Sequence, residues 1–322
     1  MEYRRLGRSG LTISEISLGC GNNTFAGRAD EQTSIDLINH ALGLGINYLD
    51  TGATYAEGRS EALIGKALKG KRSQAIIGTR FGTSRSVGPS EQRGSRNRMM
   101  KAVEGSLQRL DTEYIDLYIM HEPDPGTPIE ETLRALDDLV RAGKVRYIAC
   151  CRFAAWQLCD ALWTSKAQNL ESFIATYMNY SLLNRKIERE LVPYCETVGV
   201  GIVPVSPLAD GFLTGKYRRG QEMPKGTRFT SIPRFAGPKH QDLGRYNKIL
   251  SEANFDKLEK LETFAKERGH GVGELAVAWL LSHSWLGTVP VGVTNIDQLK
   301  HNVAGSGWKL TGEDIVQLGK IL

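Results

Sequence analysis

A chain of 322 residues, 41% hydrophobic and 24% charged, has ample material for a core. Its formal net charge of +5 is mild for that length, and no Lys/Arg-rich run or zinc-finger spacing points to nucleic acid. No apolar run approaches about 18 residues, the N-terminus Met1-Glu2-Tyr3-Arg4-Arg5 carries no apolar leader pattern, and the five cysteines are odd in number, so the expectation is a cytoplasmic protein with reduced thiols and no membrane span.

Tyr3 to Ile16, with Gly7-Arg8-Ser9-Gly10 in the middle, reads as a β-hairpin. The run from Ile16 to Gly21 is a strand ending in glycines. Strands and helices then alternate: helix from Asp30 to Leu44, strand Ile46 to Asp50, helix Ser60 to Lys69, strand Ala75 to Thr79. Helix Arg96 to Leu110, strand Ile115 to Met120, helix Ile129 to Ala142 and strand Arg146 to Cys151 follow. Next come helix Ala154 to Ser165, strand Phe173 to Tyr177, helix Lys186 to Val198 and strand Gly201 to Val205. The last part predicts helices over Ala253 to Arg268 and Gly273 to Ser282, strand Gly287 to Val291, helix Asn295 to Ala304 and a C-terminal helix from Glu313. Thr311, with Asp314 three residues on, fits that helix's N-cap.

Eight strands, each followed by helix, fit a closed parallel (β/α)8 TIM barrel better than an open sheet. The expected architecture is therefore α/β: a single domain over residues 1–322 with an N-terminal hairpin, a long loop after strand seven and a C-terminal helix. The segment from Ala209 to Asn247 is too long to be a plain connection, and loops of that length are usually functional. From Gly211 to Arg245 it carries eight Lys/Arg against Glu222 and Asp242, an excess of six (eight minus two) that fits a basic lid or a solvated loop. Other motifs fail. Position 24 is Thr, so Gly19-Cys20-Gly21 opens no dinucleotide fingerprint, and Gly65-Lys66 is followed by Ala67 rather than a P-loop hydroxyl. No spacing among the six histidines and five cysteines suggests a metal site.

In a TIM barrel the active site lies at the C-terminal ends of the strands. Strand two brings Asp50 and, in its loop, Tyr55; strand three brings Arg80 and strand four His121. Strand five gives Cys151 and Arg152, strand six Tyr177, strand seven Ser206, and strand eight runs into Gly292 and Thr294. Each alone has an ordinary structural explanation, as a cap, a turn residue or a packed ring. An acid, a phenol, a cation and an imidazole at the ends of three consecutive strands point instead to one site.

Leu49-Asp50-Thr51, Tyr55 with Gly58 and Glu61, Ile115-Asp116-Leu117-Tyr118, His121 with Pro123-Asp124, and Gly143-Lys144-Val145-Arg146 are similar to motifs of the aldo-keto reductase superfamily. So are the run from Tyr180 to Arg185 and the run from Ser206 to Tyr217, and the resemblance extends from the hairpin to Asn302. It implies a (β/α)8 barrel, NADP(H) as cofactor, and a tetrad of Asp, Tyr, Lys and His that reduces a small carbonyl or sugar-like substrate. Asp50, Tyr55, Arg80 and His121 stand at the tetrad positions, with arginine where the family has lysine. Tyr55 would be the general acid, the cation would stabilise its phenolate, Asp50 would hold the cation and His121 would orient the carbonyl. The resemblance also assigns cofactor contacts to Gly21, Cys151, Arg152, Tyr177, Ser206, Leu208, Gly211, Leu213, Gly215, Lys216, Gly292, Thr294, Gln298 and Asn302. At the nicotinamide end the chain departs from the pattern. Cys151-Arg152 replace a Ser-Asn pair, Tyr177 a glutamine and Val205 an aromatic; toward adenine, His301 replaces a glutamate. Arg80, Arg152 and Tyr177 motivate two rival readings, a nucleotide-binding regulatory protein with little turnover and a barrel enzyme with non-redox carbonyl chemistry. The oligomeric state is not legible.

Overall fold

The computed structural model describes residues 1–22, 24–83, 92–230 and 242–322, with backbone alone at 242, 243 and 245. The contacts divide it into two compact units. The first comprises Met1–Met178, Lys186–Val205 and Ser284–Leu299; the second comprises Asn179–Arg185, Ser206–His283 and Lys300–Leu322.

The first unit begins with the expected hairpin, strands β1 (Tyr3–Arg5) and β2 (Thr12–Ser14), antiparallel with Tyr3 opposite Ser14. Then come β3 (Ile16–Gly19), β4 (Tyr48–Asp50), β5 (Ile76–Phe81), β6 (Ile115–Met120), β7 (Val145–Cys151), β8 (Ala175–Asn179), β9 (Gly201–Val205) and β10 (Val289–Val291). They form one eight-stranded sheet in the order β10-β3-β4-β5-β6-β7-β8-β9. All its registered pairs are parallel. Its two edges meet through a parallel bridge of Ile202 with Leu286, and Gly287 N donates to Ile202 O at 3.0 Å. The result is the (β/α)8 barrel. Helices α1 (Glu31–Gly43), α2 (Arg59–Ala67), α3 (Arg96–Leu110), α4 (Ile129–Arg141), α5 (Ala155–Gln168) and α6 (Leu191–Val198) alternate with the strands.

Near-continuous apolar strands are what a sheet covered on both faces requires. The interior holds Leu6 and Ile13 from the hairpin with Tyr48, Leu117, Ile119, Ala149, Cys151, Ala175, Tyr177 and Val203. Leu6 is inserted where Gly201 and Gly287 have no side chains: a Cβ on Gly287 would lie 2.4 Å from its Cδ1.

Several boundaries differ from expectation, and two of them have a local cause. β5 runs on through Arg80 to Phe81, because Arg80 is satisfied within the barrel rather than released to solvent. The predicted helix from Lys186 to Val198 is a 3-10 turn (Lys186–Arg189) followed by α6, with Glu190 at φ −137° between them. Pro193, which lacks an amide proton, falls in the first turn of α6, where none is needed.

The second unit is helical: α7 (Asp242–Ile249), α8 (Glu252–Glu267), α9 (Val272–Leu281) and α11 (Gly312–Ile321). Helix α10 is Ile296–Ala304. Thr311 caps α11 as predicted, accepting from Asp314 N at 3.2 Å while Asp314 Oδ2 accepts from Thr311 N at 2.9 Å. The segment expected to be irregular carries a 3-10 turn, Ala209–Thr214, and ends in α7; positions 231–241 lie outside the described residues. Part of its expected basic excess is paired, and Arg234 and Lys239 lie outside the described residues. Arg218 binds Glu262, Arg219 contacts Glu252, Asp256 and Glu259, and Arg228 lies 3.1 Å from Asp210. No helix among the described residues is long and apolar enough to cross a membrane.

Candidate active site

β4 ends on Asp50, and a residue earlier or later on the strand would face the other way. Arg80, two strand positions beyond Gly78, enters the same interior and is 4% exposed. Its Nη2 donates to Asp50 Oδ2 at 2.9 Å; its Nη1 lies 2.9 Å from Oδ1 and donates to Thr51 O at 2.7 Å. The fork therefore engages both carboxylate oxygens. Only Oδ2 receives a hydrogen bond, Oδ1 is met by the charge alone, and the second arm of the fork donates to the Thr51 carbonyl, a spread of contacts that a lysine ammonium does not make.

Tyr55 is brought over this pair by a strained turn. Ala56 and Glu57 are left-handed, at φ 48° and 58°, and Gly58 follows at φ 88°. Asn22 Oδ1 accepts from Ala56 N and ties the turn to the end of β3. Gly52 permits the close approach: a Cβ there would lie 3.3 Å from the Tyr55 ring and 3.4 Å from Arg80 Cβ. The Arg80 Cζ is 5.8 Å from the Tyr55 ring centroid. His121 follows β6, its N–H donating to Phe81 O at 2.8 Å, and its ring meets Tyr55 edge-on with centroids 6.1 Å apart. The four residues from three strand ends thus gather in the first unit.

Burial raises the Asp50 carboxyl above its ordinary value, opposed by Arg80. For Arg80 burial works toward a lower value but is outweighed by Asp50 and the phenols, which hold the guanidinium charged. Burial likewise raises the Tyr55 phenol, with Arg80 pulling it back. Tyr55 consequently keeps its proton at neutral pH beside a cation that favours its loss, which suits a general acid.

The predicted cofactor residues fall into distinct settings. Cys151 and Tyr177 pack inside the barrel, 1% and 0% exposed. Arg152 is left-handed at φ 63°, and its exposed side chain donates to Glu122 Oε1 at 2.7 Å; Glu122 also accepts from Arg93 at 3.0 Å. Gly21 lies beside Thr24, and a Cβ on Gly292 would be 2.9 Å from the Thr24 methyl. Gln298 closes the start of α10, its Oε1 accepting from Thr294 N and its N–H donating to Asn295 Oδ1, both at 2.9 Å. In the second unit, Ser206 donates to Asp210 Oδ1 at 2.8 Å, and Ala209, Asp210 and Gly211 are all left-handed, at φ 47°, 58° and 93°. Leu208 and Leu213 are buried, Gly215 has φ 75°, and Asn302 is buried. A Cβ on Gly211 would lie 2.9 Å from Lys216 Nζ. A left-handed backbone run beside an ammonium suits an anion, so these residues fit a pyrophosphate.

The chain matches the Aldo/keto reductase family over residues 16–322. It belongs to that family. Similar proteins include a probable voltage-gated potassium channel subunit beta of Oryza sativa subsp. japonica, 33% identical over 307 residues (94% of this chain, 90% of the relative). A versiconal hemiacetal acetate reductase of Aspergillus parasiticus is 33% identical over 345 residues (99% and 96%), and an uncharacterized oxidoreductase of Bacillus subtilis is 33% identical over 332 residues (100% and 96%). Aldo/keto reductases use nicotinamide cofactors, generally NADP(H), and membership supports oxidoreductase chemistry.

The Thr51 carbonyl, Asn22, Glu122 and Tyr48 were not among the expected site groups. Tyr48 had a legible signal: it stands two residues before Asp50, hence on the same face of β4. The other three act through backbone atoms or across loops, where no periodicity speaks.

Proposed function

We propose that this aldo/keto reductase reduces a small aldehyde or ketone to the alcohol with NADPH, Tyr55 serving as the general acid. The observation that carries the reading is Arg80, forked on Asp50 with its Cζ 5.8 Å from the Tyr55 ring. A dihydronicotinamide, when bound, supplies hydride to the carbonyl carbon. Tyr55 gives its proton to the developing alkoxide, Arg80 stabilises the phenolate that remains, and Asp50 keeps Arg80 charged and oriented. His121, edge-on to Tyr55, orients the carbonyl oxygen.

In the second unit, the Ser206–Gly211 turn with Lys216 would hold a pyrophosphate; in the first, Thr294 and Gln298 at the start of α10 would favour the extra phosphate of NADPH. Cys20, Cys150, Cys151, Cys159 and Cys195 are unpaired thiols, which supports a cytoplasmic setting.

The deciding experiment is a panel of aldehydes and ketones followed by NADPH absorbance, with the parent chain and Tyr55→Phe side by side. Tyr55→Phe should lose roughly two to four orders of magnitude in rate while binding NADPH nearly as well. Near-parental turnover in that variant would sink the acid assignment. The relatives named as potassium channel subunits favour a second, regulatory reading, and NADPH binding without turnover of any carbonyl would support it.

A further inference from the structure

Beneath the Asp50–Arg80 pair lies a feature the tetrad does not use. Tyr48 stands on β4 and Tyr177 on β8, four places apart in the eight-strand order and so on opposite walls of the barrel. Their hydroxyls meet across the interior at 2.5 Å, and both residues are 0% exposed. Arg80 Cζ lies 4.8 Å from the Tyr177 ring centroid. Gly78, on Arg80's own strand, makes room for the pair, since a Cβ there would be 2.0 Å from the Tyr48 hydroxyl oxygen. The guanidinium is therefore held on two sides: its nitrogens by Asp50 and the Thr51 carbonyl, its carbon beside an aromatic ring.

We propose that Tyr177, braced by Tyr48, is a positioning residue that sets the plane of the Arg80 guanidinium, and through it the charge presented to the Tyr55 phenol. The inference rests on Tyr55 being the proton donor. A planar guanidinium has faces for a ring and an edge for a carboxylate, whereas an ammonium has neither, so arginine gains from an aromatic seat what lysine cannot. The resemblance pairs lysine with glutamine at these two positions; here arginine is paired with tyrosine. Two departures that looked separate are thus one device. An interior ring that merely filled space would need no contact with the guanidinium and no brace from the opposite wall.

The test is a cycle of Tyr177→Gln, Arg80→Lys and the double variant, with Tyr177→Phe as the conservative control. Each of Tyr177→Gln and Arg80→Lys should lower kcat roughly tenfold or more with little change in KM, and the double variant should lose no more than either single. Because Arg80 lowers the Tyr55 phenol, its displacement in Tyr177→Gln should move the alkaline limb of kcat/KM to higher pH. Tyr177→Phe keeps the ring, so it should keep the alkaline limb, yet melt earlier because the buried Tyr48 hydroxyl loses its partner. NMR of arginine-labelled protein, with the Arg80 signal assigned by its loss in Arg80→Lys, reads the contact without turnover. The ring-shifted, slowly exchanging Arg80 signals should persist in Tyr177→Phe and collapse in Tyr177→Gln. Unchanged Arg80 signals in Tyr177→Gln, or losses that simply multiply in the double variant, would overturn the proposal. A parent chain without turnover would instead defeat the assigned reduction, and the Arg80 signals would still decide the positioning role.

Discussion

At the scale of single residues, the bond that separates this site from the tetrad its family leads one to expect is the fork between Arg80 and Asp50. Both groups are nearly withdrawn from water, so each depends on the other for solvation. Arg80 also donates to the Thr51 carbonyl, which would otherwise lose its partner. Lysine at position 80 offers one compact ammonium and leaves part of this acceptor set unmet. A lost hydrogen bond to a charged group costs about 1.5–3 kcal/mol. Arg80→Lys is therefore expected to melt at a lower temperature and to gain no reductase activity, although it restores the residue type usual in the family. Calorimetry and a carbonyl assay on the same preparation check both halves; a faster enzyme with an unchanged melting temperature would contradict them. The gathering of Asp50, Tyr55, Arg80 and His121 was legible because each stands at the end of a barrel strand or in the loop that follows it. Asn22 and the Thr51 carbonyl were not, and of Tyr48 only its face of the strand was, because their roles depend on which wall or loop lies opposite, and one sequence holds no record of that.

At the scale of elements, periodicity located the strands and helices, while local satisfaction moved their ends. β5 extends past Thr79 since a charged residue can continue a buried strand when a carboxylate awaits it. The helix expected from Lys186 gives way to a turn and a shorter helix that has Pro193 in its first turn. α11 shows the opposite case, a boundary specified by its own residues. Thr311 and Asp314 cap each other reciprocally, and the Thr311 N–H is the leading cause of a lowered Asp314 carboxyl. Thr311→Ala should cost about 1 kcal/mol, read as a shift of the urea midpoint with an unchanged slope. The pH dependence has a definite sign. A carboxyl lowered by folding contributes stability above its unfolded value, about 3.9, and loses it as pH falls through the lowered folded value. Thr311→Ala keeps the N–H but removes the hydroxyl, which also donates to Asp314 Oδ2 at 2.9 Å and also lowers the carboxyl. The gap between variant and parent should therefore narrow by that share as the solution is acidified below about pH 4. A gap independent of pH would show that the hydroxyl caps the helix without help from the carboxylate.

At the scale of the whole molecule, the barrel separates what holds it together from what it does. The site occupies the C-terminal ends of the strands, whereas the hairpin packs Leu6 into the interior from the segment preceding β3. Leu6 is fully buried, and the chain has cleared a place for it: Gly201 and Gly287, on and beside the two strands whose meeting closes the sheet, would both crowd its Cδ1 if they carried a Cβ. Gly7, at φ 61°, brings the hairpin backbone so near Gly199 and Gly201 that a Cβ would lie 2.6 Å from the Gly199 carbonyl oxygen. The seam of the barrel is thus sealed by one aliphatic side chain seated among glycines. Leu6→Ala would leave a cavity that rigid backbone on both sides cannot easily collapse into, at a cost of about 2–5 kcal/mol. That is a large share of the roughly 5–15 kcal/mol by which a folded protein exceeds its unfolded chain. Asp50, Tyr55, Arg80 and His121 are not members of the interior cluster that holds Leu6, so kcat/KM measured well below the melting temperature should match the parent. The expected result is a variant that unfolds at markedly lower urea and turns over at the parental rate; a proportionate loss of catalysis would mean that the seam also sets the geometry at the far ends of the strands.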